Sequence, residues 1–211
     1  MTKVTMIPDA IAEAARWHLV ARLFERPRVG WVDDVRALAR ETPDPVLRAT
    51  AEGVSEASEG TYLGLLGPGG RVSPREAGHA GFRDPGWILA DLARCYDAFG
   101  YAPRAEDPLD HVAVEAGFVA YLHLKEARAH ACDDEEALLV TRAARETFAR
   151  DHLAPLVAGL ATRLAGEEPT PFAATVDWLV ARLPAVEITT SGAGASDPIA
   201  EGCGACVAPE F

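Results

Sequence analysis

Prolines preceded by short polar residues recur at helix-length intervals along this chain, and the period-two alternation of apolar residues that a β-strand needs is missing. Those two facts confine it to an all-α fold. Asp84-Pro85, Asp107-Pro108 and Thr170-Pro171 each place an N-cap residue before a proline already set for the first helical turn. Pro8-Asp9 opens an earlier helix that carries Ile11, Ala15, His18, Leu19 and Arg22 on one side and stops before Pro27. Shorter helices are expected over about 31–41 and 45–58. Ser73-Pro74-Arg75-Glu76 has the grammar of a capping box and predicts another start. The Asp84-Pro85 helix runs through Trp87, Leu92, Cys95, Tyr96 and Phe99 to Gly100, which sits where a left-handed C-cap belongs. The helix opened by Asp107-Pro108, over about 109–131, is apolar nearly all round and is therefore the central one. Helices to Phe148, over 151–165 and over 171–183 complete the pattern.

The reading is a single compact domain of about eight to ten helices over residues 1–184. From 185 to 211 the composition turns to Gly, Ala, Ser, Thr and Pro, too poor in large apolar residues to offset chain entropy, so a flexible tail is expected. Gly67-Pro-Gly-Gly70 reads as a surface turn, since it lacks the Lys-Ser/Thr of a nucleotide-binding loop and follows no strand.

Lys and Arg number 20 against 32 Asp and Glu, a net charge of −12 that disfavours nucleic acid and suits a basic partner. Charged residues break every apolar stretch short of a membrane span, and the first residues hold no apolar signal segment, so a cytoplasmic protein with reduced thiols is expected.

Asp107, His111 and Glu115 stand four residues apart, which puts them on one face of the central helix, with Asp110 about 100° round from His111. Two readings stay open. Carboxylates and an imidazole at a cleft rim can bind a basic ligand. Alternatively, Asp107 is the N-cap, Asp110 a first-turn acid and His111 a satisfied imidazole. No His-Glu-x-x-His signature supports a metal here, and His152, the nearest candidate partner, reads as a core or interface histidine. Cys203-x-x-Cys206 has the spacing of half a zinc site or a redox pair, without a second such motif to complete four ligands. It is either incidental or the basis of a metal- or thiol-dependent protein. No nucleophile–base pair is legible, so no enzyme activity and no cofactor are expected.

In order along the chain come Leu63-x-Leu-Leu-Gly-Pro-Gly-Gly70, Ser73-Pro-Arg-Glu76, Leu92-Ala-Arg-Cys-Tyr-Asp-Ala-Phe-Gly100, Glu106-Asp-Pro-Leu-Asp-His-Val-Ala-Val-Glu115 and Phe148-x-x-x-His-Leu-x-Pro155. This series, from about 63 to 164, resembles the TorD/DmsD family of cytoplasmic maturation chaperones for molybdenum redox enzymes. The resemblance implies an all-helical chaperone that binds the twin-arginine signal peptide of the catalytic subunit of a molybdopterin oxidoreductase and holds it for cofactor insertion before export. It implies peptide-binding roles for Asp110 and His111, with Glu115 and Tyr96 matching the pattern, in a monomer or a homodimer; Asp107, on the face of His111 and Glu115, is a further peptide-binding candidate by its spacing. A general helical assembly scaffold is the remaining alternative.

Overall fold

The computed structural model describes residues 3–103 and 106–186. Among these, nine α-helices are found: α1 (Lys3–Phe24), α2 (Trp31–Glu41), α3 (Pro45–Glu52), α4 (Glu59–Leu65), α5 (Pro85–Phe99), α6 (Val112–Cys132), α7 (Glu135–Phe148), α8 (Ala154–Leu164) and α9 (Pro171–Val180). No strand is present among the described residues; one isolated bridge joins Arg75 to His111. The expected tail beyond residue 186, with Cys203 and Cys206, lies outside the described residues.

The all-helical reading is borne out, and the capping grammar explains most of the boundaries. Asp84 caps α5 by accepting from the Gly86 N–H, and Gly100 ends it at φ 65°, where a side chain would be strained. Asp134 caps α7 and Thr170 caps α9 through the N–H of Ala137 and of Ala173. Asp44 caps α3 while also accepting from Trp178 Nε1 at 2.9 Å and from Arg182 at 2.9 Å. One buried carboxylate therefore ties the third helix to the ninth.

The nearly all-apolar α6 is the central element, packed most extensively on α1 and also on α7. Phe118 on α6 meets Tyr96 at 4.9 Å, Phe148 at 4.8 Å and Tyr101 at 5.3 Å between ring centres, an aromatic knot joining α5, α6 and α7. On the other side Trp17 of α1 packs edge-on against Trp178 of α9.

Four boundaries differ from the sequence expectation. α1 begins at Lys3, with Pro8 inside it rather than at its start. The third helix stops at Glu52, and a separate α4 follows a 3-10 turn at Gly53–Glu56. Ser73-Pro-Arg-Glu76 starts no helix beyond a 3-10 turn at Glu76–Gly78, because its backbone is held elsewhere: Glu76 N–H donates to Asp110 O and Val112 N–H to Pro74 O. For the same reason α6 starts at Val112 rather than Leu109, with residues 107–110 forming a turn before it.

Between α7 and α8 the chain does not break. Residues Ala149–Leu153 widen into one π turn, in which Ala154 N–H reaches back five residues to Ala149 O. Pro155 has no N–H to continue a regular ladder, and the π turn carries both His152 and Leu153 into the interior.

Candidate functional site

A cleft of about 710 Å³ opens where the α1–α2 turn, α4, the Gly67–Gly70 turn and the 106–111 segment converge. Its glycine-rich wall is a β-turn, with Gly70 N–H donating to Gly67 O, Pro68 second and Gly69 third at φ 78°. A Cβ on Gly67 would lie 2.7 Å from the Leu63 Cα, and one on Gly70 2.7 Å from the Leu65 carbonyl oxygen. Close backbone packing, not anion binding, accounts for these glycines.

His111 is the pivot of the site. It is the N-cap of α6 through an uncommon acceptor: its ring Nδ1 accepts from the Ala113 N–H at 3.1 Å. That bond fixes the tautomer, so the neutral ring carries its proton on Nε2, which donates to Tyr62 Oη at 3.2 Å and lies 3.8 Å from Asp107 Oδ1. Burial holds the His111 pKa down to about 4, against the opposing pull of Asp110, so the ring is neutral at physiological pH.

Asp107 stands in the cleft wall with its side chain 22% exposed. Its pKa is raised, first by partial burial and then by the neighbouring carboxylates of Glu25 and Glu106. Glu59, paired with Arg26, adds a further carboxylate to the rim, and Leu63, Pro27 and Pro68 supply apolar surface.

The other residues singled out by the sequence lie beneath this cleft. Asp110 is fully buried; its Oδ1 accepts from Arg75 Nε at 2.9 Å and its Oδ2 from the Ala77 N–H at 3.3 Å. It reaches the cleft only through Arg75, which lines it. Glu115 is fully buried with neither carboxylate oxygen hydrogen-bonded, and burial plus the charges of Glu76 and Asp110 push its pKa far up. Tyr96 is buried too, donating to Leu109 O at 2.9 Å. The structure thus brings Asp107 and His111 into one cleft and places Asp110, Glu115 and Tyr96 under its floor.

Neither capping assignment made for Asp107 and Asp110 holds: His111 is the cap, and Asp110 is an ion-pair partner of Arg75. Sequence reasoning also missed Tyr62. It lies 49 residues from His111, in a seven-residue helix that has no cue beyond Ser58 as its N-cap.

No curated protein and no solved structure matches the chain. The nitrate reductase delta subunit family, however, matches residues 34–162, more than half of the chain, and spans α4, the glycine turn, the 106–115 segment and the π turn. That family comprises chaperones that mature molybdoenzymes, not catalysts, in keeping with the resemblance to TorD and DmsD. The chain belongs to the nitrate reductase delta subunit family of molybdoenzyme maturation chaperones.

Proposed function

We propose that the cleft receives the basic stretch of a twin-arginine signal peptide on the catalytic subunit of a molybdopterin oxidoreductase, and that the chain holds that subunit in the cytoplasm for cofactor insertion before export. The observation that carries this reading is the crowding of carboxylates at Asp107. Partial burial first, and then Glu25 and Glu106, make the ionised form of Asp107 unfavourable, which is the condition an incoming guanidinium relieves. Tyr62, whose oxygen accepts from His111 Nε2–H, keeps its own O–H to donate to a peptide carbonyl at the cleft wall. The apolar surface of Leu63, Pro27 and Pro68 suits the residues that follow the arginines in such a leader.

In this reading Asp107 meets the peptide directly, and His111, buried and hydrogen-bonded at both ring nitrogens, acts by orienting Tyr62. Asp110 acts by holding Arg75 at the cleft, and Glu115 and Tyr96 act by shaping the floor. Affinity comes mainly from apolar burial, with charge pairing setting register and encounter rate.

The test is calorimetric titration with a synthetic twin-arginine leader and with the same peptide carrying glutamine for both arginines. The native leader should bind the folded chain at least about tenfold more tightly, the worth of one charge-assisted hydrogen bond. Equal affinities for the two peptides would contradict the reading.

A further inference from the structure

Away from the cleft, α5 and the π turn bring together a second polar cluster that the proposed function does not use. Asp91 and Cys95 stand one turn apart on α5, and His152 faces them from the π turn; one ligand atom from each, all within 4.8 Å of one another, forms a compact triangle. His152 Nδ1–H donates to Glu76 Oε2 at 3.0 Å, which turns Nε2 towards α5. Nε2 is buried without a hydrogen-bond partner, and it is aimed at Asp91 Oδ2, 3.4 Å away. A buried ring nitrogen without a hydrogen-bond partner, facing a carboxylate oxygen and a thiol, is the geometry of an open metal-ligand set.

We propose that Asp91, Cys95 and His152 form a binding site for a zinc-class divalent metal ion. Nitrogen and oxygen ligands at about 2.0 to 2.1 Å from a tetrahedral ion lie roughly 3.4 Å apart, the spacing already present between His152 and Asp91. A thiolate, a carboxylate and a neutral imidazole carry two negative charges, so a divalent ion leaves the buried site neutral. Glu76 completes the carboxylate–histidine–metal arrangement that orients such ligands, and Arg94 pairs with the outer oxygen of Asp91. Cys95 and His152 are sealed in, whereas the Asp91 side chain is 23% exposed, which gives the ion an entry path and leaves its fourth position to water or a partner group. Binding takes the Cys95 thiol to a thiolate and releases its proton to solvent, so affinity rises with pH. This proposal is independent of the peptide-binding reading, because none of its three ligands lines the cleft.

The test uses the full chain carrying Cys132→Ser, Cys203→Ser and Cys206→Ser, which leaves Cys95 as the sole thiol. Titrated with Co²⁺, it should bind one ion per chain with a thiolate-to-cobalt charge-transfer band and d–d absorption of tetrahedral intensity, both lost on adding Zn²⁺. Adding Cys95→Ser should abolish the charge-transfer band. Asp91→Asn, at the exposed edge of the site, should weaken binding at least about tenfold, and Glu76→Gln roughly 10- to 100-fold while the band persists. Absence of the band in the folded single-thiol chain, or a band that survives Cys95→Ser, would overturn the proposal.

Discussion

The cleft and the layer beneath it share one ten-residue stretch, 106–115, yet they treat its charges in opposite ways. In the cleft, Asp107 is partly solvated and crowded by other carboxylates, a cation-seeking arrangement. Three residues on, Asp110 has no contact with solvent and its charge is already answered by Arg75 and a backbone N–H. Glu115, buried without a hydrogen-bond partner, has its pKa pushed up by burial first and then by Glu76 and Asp110. The lesson is that a run of acids and a histidine in one motif is not one site: the turn ahead of Val112 sends alternate members outward and inward. Recognition and stability should therefore separate by substitution.

The largest separation is expected in acid. Because the His111 pKa falls from 6.5 in the unfolded chain to about 4, the unfolded state binds the extra proton between those values, so stability is present above pH 6.5 and lost as pH falls towards 4. The ceiling on this loss is about 3 kcal/mol. His123, held down to about 3 by burial and Arg145, adds to the same acid slope. Denaturant melts from pH 7 to pH 4 should show His111→Gln flattening that slope in part; an unchanged slope would mean that the ring is protonated in the folded chain.

Next in size is Asp110→Ala, which removes the acceptor of Arg75 and of the Ala77 N–H. Arg75 itself stays 41% exposed and can be solvated, so the loss is expected near 2 kcal/mol rather than the larger cost of stranding a buried charge. Asp107→Ala, by contrast, should shift stability by less than about 0.5 kcal/mol. Equal losses for the two variants in the same urea melt would erase the distinction between cleft and floor.

Glu115→Gln sharpens the comparison with the opposite pH sign. A carboxyl whose folded pKa lies far above its unfolded value of 4.5 contributes stability below pH 4.5, and that contribution declines as pH rises from there towards the folded pKa. The variant should therefore gain on the wild type as pH rises above 4.5. A difference that does not change with pH above that value would show that the Glu115 pKa is not raised in the folded chain.

Much of this architecture was legible in the sequence, for identifiable reasons. Asp84-Pro85, Thr170-Pro171 and Gly100 act through bonds within a few residues, so local grammar placed α5 and the start of α9 correctly. Ser73-Pro74-Arg75-Glu76 obeys the same grammar but starts no α-helix, because Pro74 O and the Glu76 N–H pair with residues 110–112 and the Glu76 side chain turns to His152. No local rule contains partners 35 or 76 residues away. Of the motif at 106–115, the sequence could show the spacing but not the exposure: the start of α6, set by those long-range bonds, decided which of its residues reach the cleft. Tyr62 and Glu76 were hidden because only the fold gives them a neighbour.

The most direct test of the central claim is the leader affinity of Asp107→Asn measured beside that of Asp110→Asn, each on protein shown by circular dichroism to be folded. The account predicts that Asp107→Asn loses about tenfold or more in affinity with its melt unchanged, and that its residual binding no longer distinguishes arginine from glutamine in the leader. Wild-type affinity and arginine preference in a folded Asp107→Asn chain would contradict it.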